Sequence, residues 1–249
     1  ALPANRTSET VGRATQGAAY AYLGWAHLTR AYEETGRKDA SLNAAVEALN
    51  RVTGYELVKE LHTLFDGTNK NSKESIFEIQ LTLSTANGAR YRTQLHRFIG
   101  CSELQGWDEV LPTDLLIQAY QKEGKTATDG RYDGRLYETL FFKDEYFNDT
   151  VAKRVYDKTY DEWFQGADKP VFRKYMPADA AGLSAAYFAP NIVLMRYANV
   201  LLMKAEALNE LGHTSEAIPF VNEVRKRAGM PAMKGATRDA VRAQIEHER

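Results

Sequence analysis

The stretch Asn191-Ile-Val-Leu-Met-Arg-Tyr-Ala-Asn-Val-Leu-Leu-Met-Lys-Ala-Glu-Ala-Leu-Asn-Glu-Leu-Gly212 decides how the rest of the chain is read. Apolar side chains recur through it at three- and four-residue spacing, and Gly212 follows as a residue that takes the left-handed cap conformation without strain. The spacing predicts one long helix over 192–211. Just beyond it, Thr214 or Ser215 can cap a second helix over 215–228, which Gly229-Met-Pro231 closes. Two helices joined by so short a turn form a hairpin.

Working outward, a similar pair stands near the start. Over 15–32, Ala14, Ala18, Tyr22 and Ala26 share one side with Ala19 and Leu23. Gly17, Ala21 and Gly24 lie in the same stretch. Glycine inside a helix costs ~1 kcal/mol relative to alanine, so two of them point to close approach of a neighbour. Trp25 is read as a packing residue. Gly36 is expected to stop this helix, and a second helix follows over 42–50 with Ala45, Val46 and Leu49 as its apolar side. Placing Gly36 over Gly212 also puts Ala31 over Ala207, and the repeated unit resembles a tetratricopeptide module. Copies about 170 residues apart do not make a solenoid. They read as two parts of one helical wall: a first hairpin over 13–54, an insertion over 55–190, and a second hairpin over 191–249 with the start of a further helix.

The insertion differs in character. In Ser75-Ile-Phe-Glu-Ile-Gln-Leu-Thr-Leu83, Phe77, Ile79, Leu81 and Leu83 alternate with Glu78, Gln80 and Thr82, which predicts a half-buried strand. Thr113 caps a short helix that ends near Gly124. Between Tyr132 and Phe188 lie 14 of the chain's 27 aromatic residues (14 Tyr, 10 Phe, 3 Trp), where an even spread would place about six. Pro170, Pro177 and Pro190 make this region loop-rich. The expected class is mainly α, with a wall of helical hairpins and a long, aromatic-rich insertion carrying little β.

Composition narrows the function. The formal net charge is −1, from 32 Lys plus Arg and 33 Asp plus Glu, so the basic excess of a nucleic-acid binder is missing. No apolar run approaches the 18 residues of a membrane span. The single Cys101 excludes an internal disulfide and reads as a buried, inert thiol. Ala1-Leu-Pro-Ala-Asn5 lacks the pattern of a signal peptide, and Ile245-Glu-His-Glu-Arg249 stops inside a helix, so both ends read as cut.

Six ordered blocks carry a family likeness. Arg196 through Asn209 resembles the "R-Y-A-x-V-L-L-M-x-A-E-A-L-N" helix of the SusD/RagB family of outer-membrane nutrient-binding lipoproteins. Val221-Asn-Glu-Val-Arg-Lys-Arg-Ala-Gly229 is similar to its "L-N-x-V-R-x-R-A-G" helix, and Thr237 with Ile245-Glu-His-Glu-Arg249 to its "T…I…E-R" segment. Arg13 through Leu23 resembles its first wall helix, Ser72 through Ile79 its "N-x-E-S-I-F-E-I" strand, and Gly106-Trp107 with Leu111-Pro-Thr-Asp-Leu-Leu116 its "G-W…P-T-x-x-L" element. The likeness implies a single SusD-like domain, present here as a fragment. It further implies non-catalytic capture of oligosaccharide at the bacterial outer surface, and delivery to a SusC-like TonB-dependent transporter. The lipid anchor would lie outside this chain, since Cys101 is internal.

Read for chemistry, the residues offer little catalysis. The five histidines form no H-E-x-x-H pair, and 67–73 lacks the Gly-Lys-Ser/Thr ending of a phosphate loop. Asp129 and Asp133 are too few oxygens for a calcium loop, so neither a metal nor a cofactor is expected. Asp144, Glu145, Asp161 and Glu162 keep a glycoside hydrolase as an alternative. A tetratricopeptide-like scaffold and a peptide-capturing lid are the others. Sugar capture asks for aromatic planes against pyranose C–H faces, with amide or guanidinium groups for the hydroxyls. Trp107 beside Gly106 is the leading candidate. Tyr91 with Asn87 and Arg90 comes next, followed by Trp163 with Tyr160. Arg196, Glu206 and Arg225 of the helical blocks read as internal pairing residues.

Overall fold

A computed structural model describes residues 2–88 and 90–249, with the side chain of Asn87 outside the description. In chain order the elements are α1 (Gln16–Glu33), α2 (Lys38–Asn50), β1 (Ser75–Ile79), α3 (Leu95–Ile99), α4 (Asp114–Gln121) and α5 (Gly134–Thr139). There follow β2 (Leu140–Phe141), α6 (Tyr160–Phe164), β3 (Val171–Phe172), α7 (Ala180–Leu183), β4 (Ile192–Arg196), α8 (Tyr197–Glu210), α9 (Thr214–Arg227) and α10 (Arg238–Glu248). The protein is mainly α. Among the described residues the strands form two two-stranded pairs, β1 with β4 and β2 with β3. The chain divides into two compact units, one of residues 1–59, 71–79 and 193–249, the other of 60–70 and 80–192.

The first unit is the helical wall. Helix α8 is buried on nearly every side, from Ala198, Leu201 and Leu202 round to Met203, Ala207 and Asn209, as a central helix must be. It packs against α1, α2, α9 and α10. Thr15 starts α1 by accepting the Ala18 N–H, and Thr237 starts α10 by accepting the Ala240 N–H. The small residues of α1 do admit neighbours. A Cβ on Gly24 would lie 2.5 Å from Leu49 of α2, and one on Gly17 would lie 2.6 Å from the Tyr55 hydroxyl.

Several details differ from the sequence reading. The helix expected over 192–211 begins only at Tyr197. Residues 192–196 are a strand instead, because partnership with β1 overrides local periodicity. Strand β1 is shorter than expected and its buried face is the opposite one. Ile76 and Glu78 are inside, while Ile79 and Leu83 are exposed. Glu78 is held there by the Asn71 N–H at 3.0 Å, and Phe77 meets the edge of Tyr22. Gly36 lies in a tight turn without left-handed geometry, whereas Gly212 takes φ +86°. His213, not Thr214 or Ser215, precedes α9, and the Thr214 hydroxyl donates to Asn209 Oδ1. Trp25 stays exposed, stacked on Tyr22.

The arginines and acids of the blocks pair inside the first unit, as expected, each across to another block. Glu74 is fully buried, and its carboxylate accepts Arg196 Nη1 at 2.8 Å, Arg227 Nη1 at 3.0 Å and the Val58 N–H at 2.9 Å. Arg225 meets Glu248 at 2.7 Å, and Glu206 takes the Tyr32 hydroxyl and Arg249. Glu210 gathers Lys38, Arg238 and Arg242 within 2.9 Å.

The second unit is built on aromatics. Tyr137, Phe141, Phe142, Phe147, Tyr160 and Phe164 form one buried cluster with Leu136, Leu140 and Met176. Phe147 is the hub, with Tyr146, Phe141 and Phe142 rings 5.0, 5.3 and 5.5 Å away. The antiparallel pair β2–β3 sets Leu140 opposite Phe172. Cys101 joins this core, and burial pushes its thiol up to about 12, which makes it unreactive.

Two outcomes follow from the wall's charges. Glu74→Gln leaves two arginines without their carboxylate and should cost about 3–5 kcal/mol in urea unfolding. A loss below about 1 kcal/mol would show that the triad closes nothing. At Glu210, burial raises the carboxyl, but hydrogen bonds from Lys38 and Arg242 outweigh it and bring it down to about 2. Its folded value lies below the unfolded value of about 4.3, so its contribution is present above pH about 4.3 and is lost as pH falls toward 2. The melting temperature of Glu210→Gln should therefore vary less with pH between 5 and 2 than that of the parent, and equal slopes would contradict this.

Candidate functional site

Four large aromatics of the second unit are exposed on neighbouring backbone: Tyr91 (65%), Trp107 (50%), Phe98 (46%) and Tyr187 (41%). The segment 91–98 ties them together. Thr93 and Phe188 exchange N–H···O bonds of 2.8 Å each, which brings Tyr187 beside Arg92, whose guanidinium lies 3.8 Å from the ring centroid. The Tyr91 carbonyl accepts the Thr82 N–H at 2.6 Å. Helix α3 then carries Phe98 and Arg97. The Arg97 carbonyl accepts the Trp107 N–H at 2.8 Å, while its guanidinium donates to the carbonyls of Gln105 and Ser184.

Trp107 projects from a rigid turn. Gly106 donates to the Cys101 carbonyl at 2.7 Å, and Asp108 donates to the Gly100 carbonyl at 3.1 Å. Gln105 and Asp108 adopt φ of 65° and 56°. A Cβ on Gly106 would come within 2.0 Å of the Gly100 oxygen, so only glycine lets the two backbone segments approach this closely. Lys169 pins the turn from outside, with Nζ 2.8 Å from Glu103 and 3.1 Å from Asp108. The Ser102 hydrogen bond and then Lys169 hold the Asp108 carboxyl below its usual range. Burial lowers Lys169, but its two carboxylate partners outweigh that and raise it. The clamp therefore stays charged across the neutral range.

The other sequence candidates fare differently. Arg90 is exposed next to Tyr91, and the Asn87 side chain lies outside the described residues. Tyr160 is withdrawn. It is fully buried, its hydroxyl donates to the Lys169 carbonyl at 2.7 Å, and its ring stacks on Phe164, so no face is open to a ligand. Trp163 is half-buried against the core. Its indole N–H donates to Val155 and Lys158 sits 4.3 Å from its ring. Tyr187, Phe98 and Arg92 escaped the sequence reading, although the run Arg90-Tyr91-Arg92 carried a signal for the last.

Of the four acids weighed for hydrolysis, Asp144 and Glu162 serve the fold, while Glu145 and Asp161 are exposed. Asp144 accepts the Tyr146 N–H in a turn, and Glu162 closes a capping box with Thr159. Asp129 pairs with Arg131, and Asp133 with Arg135. Among the described residues, Glu60, His62 and Glu138 bring possible metal-ligand atoms within 4.8 Å of one another. Glu138 already accepts the His62 N–H at 3.0 Å and faces Arg173 at 3.9 Å, a cation where a metal would add a second.

A SusD family profile matches residues 73–249. A curated relative, SusD-like protein P2 of Formosa agariphila, is 29% identical over 227 residues, covering 86% of this chain and 41% of its own. A SusD superfamily protein from Bacteroides vulgatus superposes with a TM-score of 0.77 at 27% identity, over 99% of this chain and 50% of that one. Surface glycan-binding protein A from Bacteroides uniformis shares the fold with a TM-score of 0.65 at 24% identity, over 99% and 50%. The chain thus spans about half the length of these relatives.

The turn's tight packing has a measurable consequence. Gly106→Ala should cost ~1–3 kcal/mol in urea unfolding, because the new methyl group meets backbone that cannot yield. Gly235→Ala, with no atom within 4 Å, should change stability by less than ~0.5 kcal/mol. Equal effects would mean that the Gly100–Gly106 contact is not tight in solution.

Proposed function

The chain belongs to the SusD family, and from that premise we propose that it captures glycan at the bacterial outer surface without catalysing its cleavage. The observation that carries the reading is Trp107, half-exposed on a turn fixed by Gly106 and the Lys169 clamp. A large apolar plane held out into water loses little entropy on binding, which suits stacking on a sugar ring. Tyr91 and Tyr187 add two more planes, and Arg90 and Arg92 add hydrogen-bond donors. Residues 1–249 then serve as a piece of one SusD-like domain that hands its ligand to a SusC-like TonB-dependent transporter. The protein would sit at the outer membrane through a lipid anchor. The commitment of Asp144 and Glu162 to turns and caps supports binding over hydrolysis.

Trp107→Ala tests this directly. Loss of one stacking contact should weaken oligosaccharide binding by ~1–3 kcal/mol, taking base–aromatic stacking as the nearest calibrated case. Urea unfolding of the same variant should move by less than ~1 kcal/mol, against ~3–5 kcal/mol for a buried tryptophan. A variant that loses stability but keeps its affinity would place the ligand elsewhere.

A further inference from the structure

The segments that carry the exposed aromatics are poor in acids and hold three arginines. From Ile79 to Ser102 the chain holds no aspartate or glutamate, yet Arg90, Arg92 and Arg97 fall within eight positions of one another. The segment bridged to it, 180–192, carries no charged residue at all. The acids at its borders are engaged: Glu103 and Asp108 with Lys169, and Asp179 with the Gly182 N–H that starts α7. Glu109, exposed beyond Trp107, leaves the balance of this face positive.

Among the described residues, none of the three arginines has an ion-pair partner. Arg97 donates to two neutral carbonyls, Arg92 sits over the Tyr187 ring with its guanidinium carbon 3.8 Å from the centroid, and Arg90 is exposed beside Tyr91. Many of the chain's other arginines pair with carboxylates, as at Glu74, Glu210 and Glu248, although Arg6 donates to a carbonyl and Arg51 lies over the Tyr20 ring. A guanidinium stacked on an aromatic ring keeps its edge N–H groups available in a fixed plane, and that edge matches the two oxygens of a carboxylate or a sulfate ester.

We propose that the ligand is an anionic glycan, bearing carboxylate or sulfate groups, whose charges are read by Arg90 and Arg92 while Tyr91, Tyr187 and Trp107 stack on its rings. This rests on the capture reading above and names its substrate class. Arg97, fixed by Gln105 and Ser184, adds field without needing direct contact.

The test is calorimetric titration of the protein with three oligosaccharides of matched length: an oligogalacturonate, a sulfated galactan fragment and a neutral galactan fragment. Polyglutamate serves as an anion without sugar. At least one anionic sugar should bind ~10-fold more tightly than the neutral one, and which of the two does so separates carboxylate from sulfate. The advantage should shrink several-fold as salt rises from about 0.05 to about 0.5 M. Arg90→Gln with Arg92→Gln should abolish it at an unchanged melting temperature. Neutral binding as tight as anionic, lost in Trp107→Ala, would overturn the charge proposal and leave capture standing. Polyglutamate binding as tightly as the sugars would overturn it as bare electrostatics. Failure of every sugar would remove the capture reading as well.

Discussion

The buried carboxylate of Glu74 is the interaction on which the helical unit depends. A fully buried charge is tolerated only with compensating partners, and here they come from the last residue of β4, which caps α8, and from the end of α9. The chain leaves this unit after Ile79 and returns at Val193, so Glu74 and Arg196 stand at the two ends of the long excursion. Their pairing, with β1–β4 beside it, holds those ends together whatever the intervening loops do. It also explains three of the family-like blocks. The Glu of the strand block, the first Arg of the central helix and the last Arg of the following helix are one triad.

The aromatic excess of the insertion divides by exposure. Most of it is interior. Tyr137, Phe147 and Tyr160 replace the aliphatic core that so loop-rich a segment cannot assemble from helices. Aromatic rings bury large areas with few rotatable bonds, which suits a region with short helices and many left-handed turns. A smaller set, carried by 91–107 and 187, stays in water. The loop bearing Trp107 is seated on the core formed by the first set, which contains Cys101 and Leu104.

The legible parts of the fold were those set by local rules. Helices α1, α2, α8 and α9 followed from spacing, and Gly212 and Gly229 marked two ends by the left-handed geometry they adopt. Strand β4 was hidden because Ile192 to Arg196 is as compatible with a helix as with a strand, and only β1 decides between them. The phase of β1 was hidden because a buried glutamate inverts the usual rule, and its N–H donor lies in a separate turn. At the candidate site, Trp107 stood out through the absence of periodicity around it and through Gly106. Tyr160 misled because a loop-rich setting suggests exposure, while its hydroxyl is satisfied by the Lys169 backbone that no sequence pattern announces. Tyr187 was invisible for the same reason in reverse, since its place beside Arg92 depends on the Thr93–Phe188 bridge.

The proposed stacking of the Trp107 indole plane on a sugar can be watched directly, because the chain holds three tryptophans. In a titration of ¹⁵N-labelled protein with oligosaccharide, the indole N–H resonance of Trp107 should shift with saturation. Those of Trp25 and of Trp163, whose N–H is held by Val155, should stay in place. A shift confined to Trp25 or Trp163, with Trp107 unmoved at saturating ligand, would contradict the account.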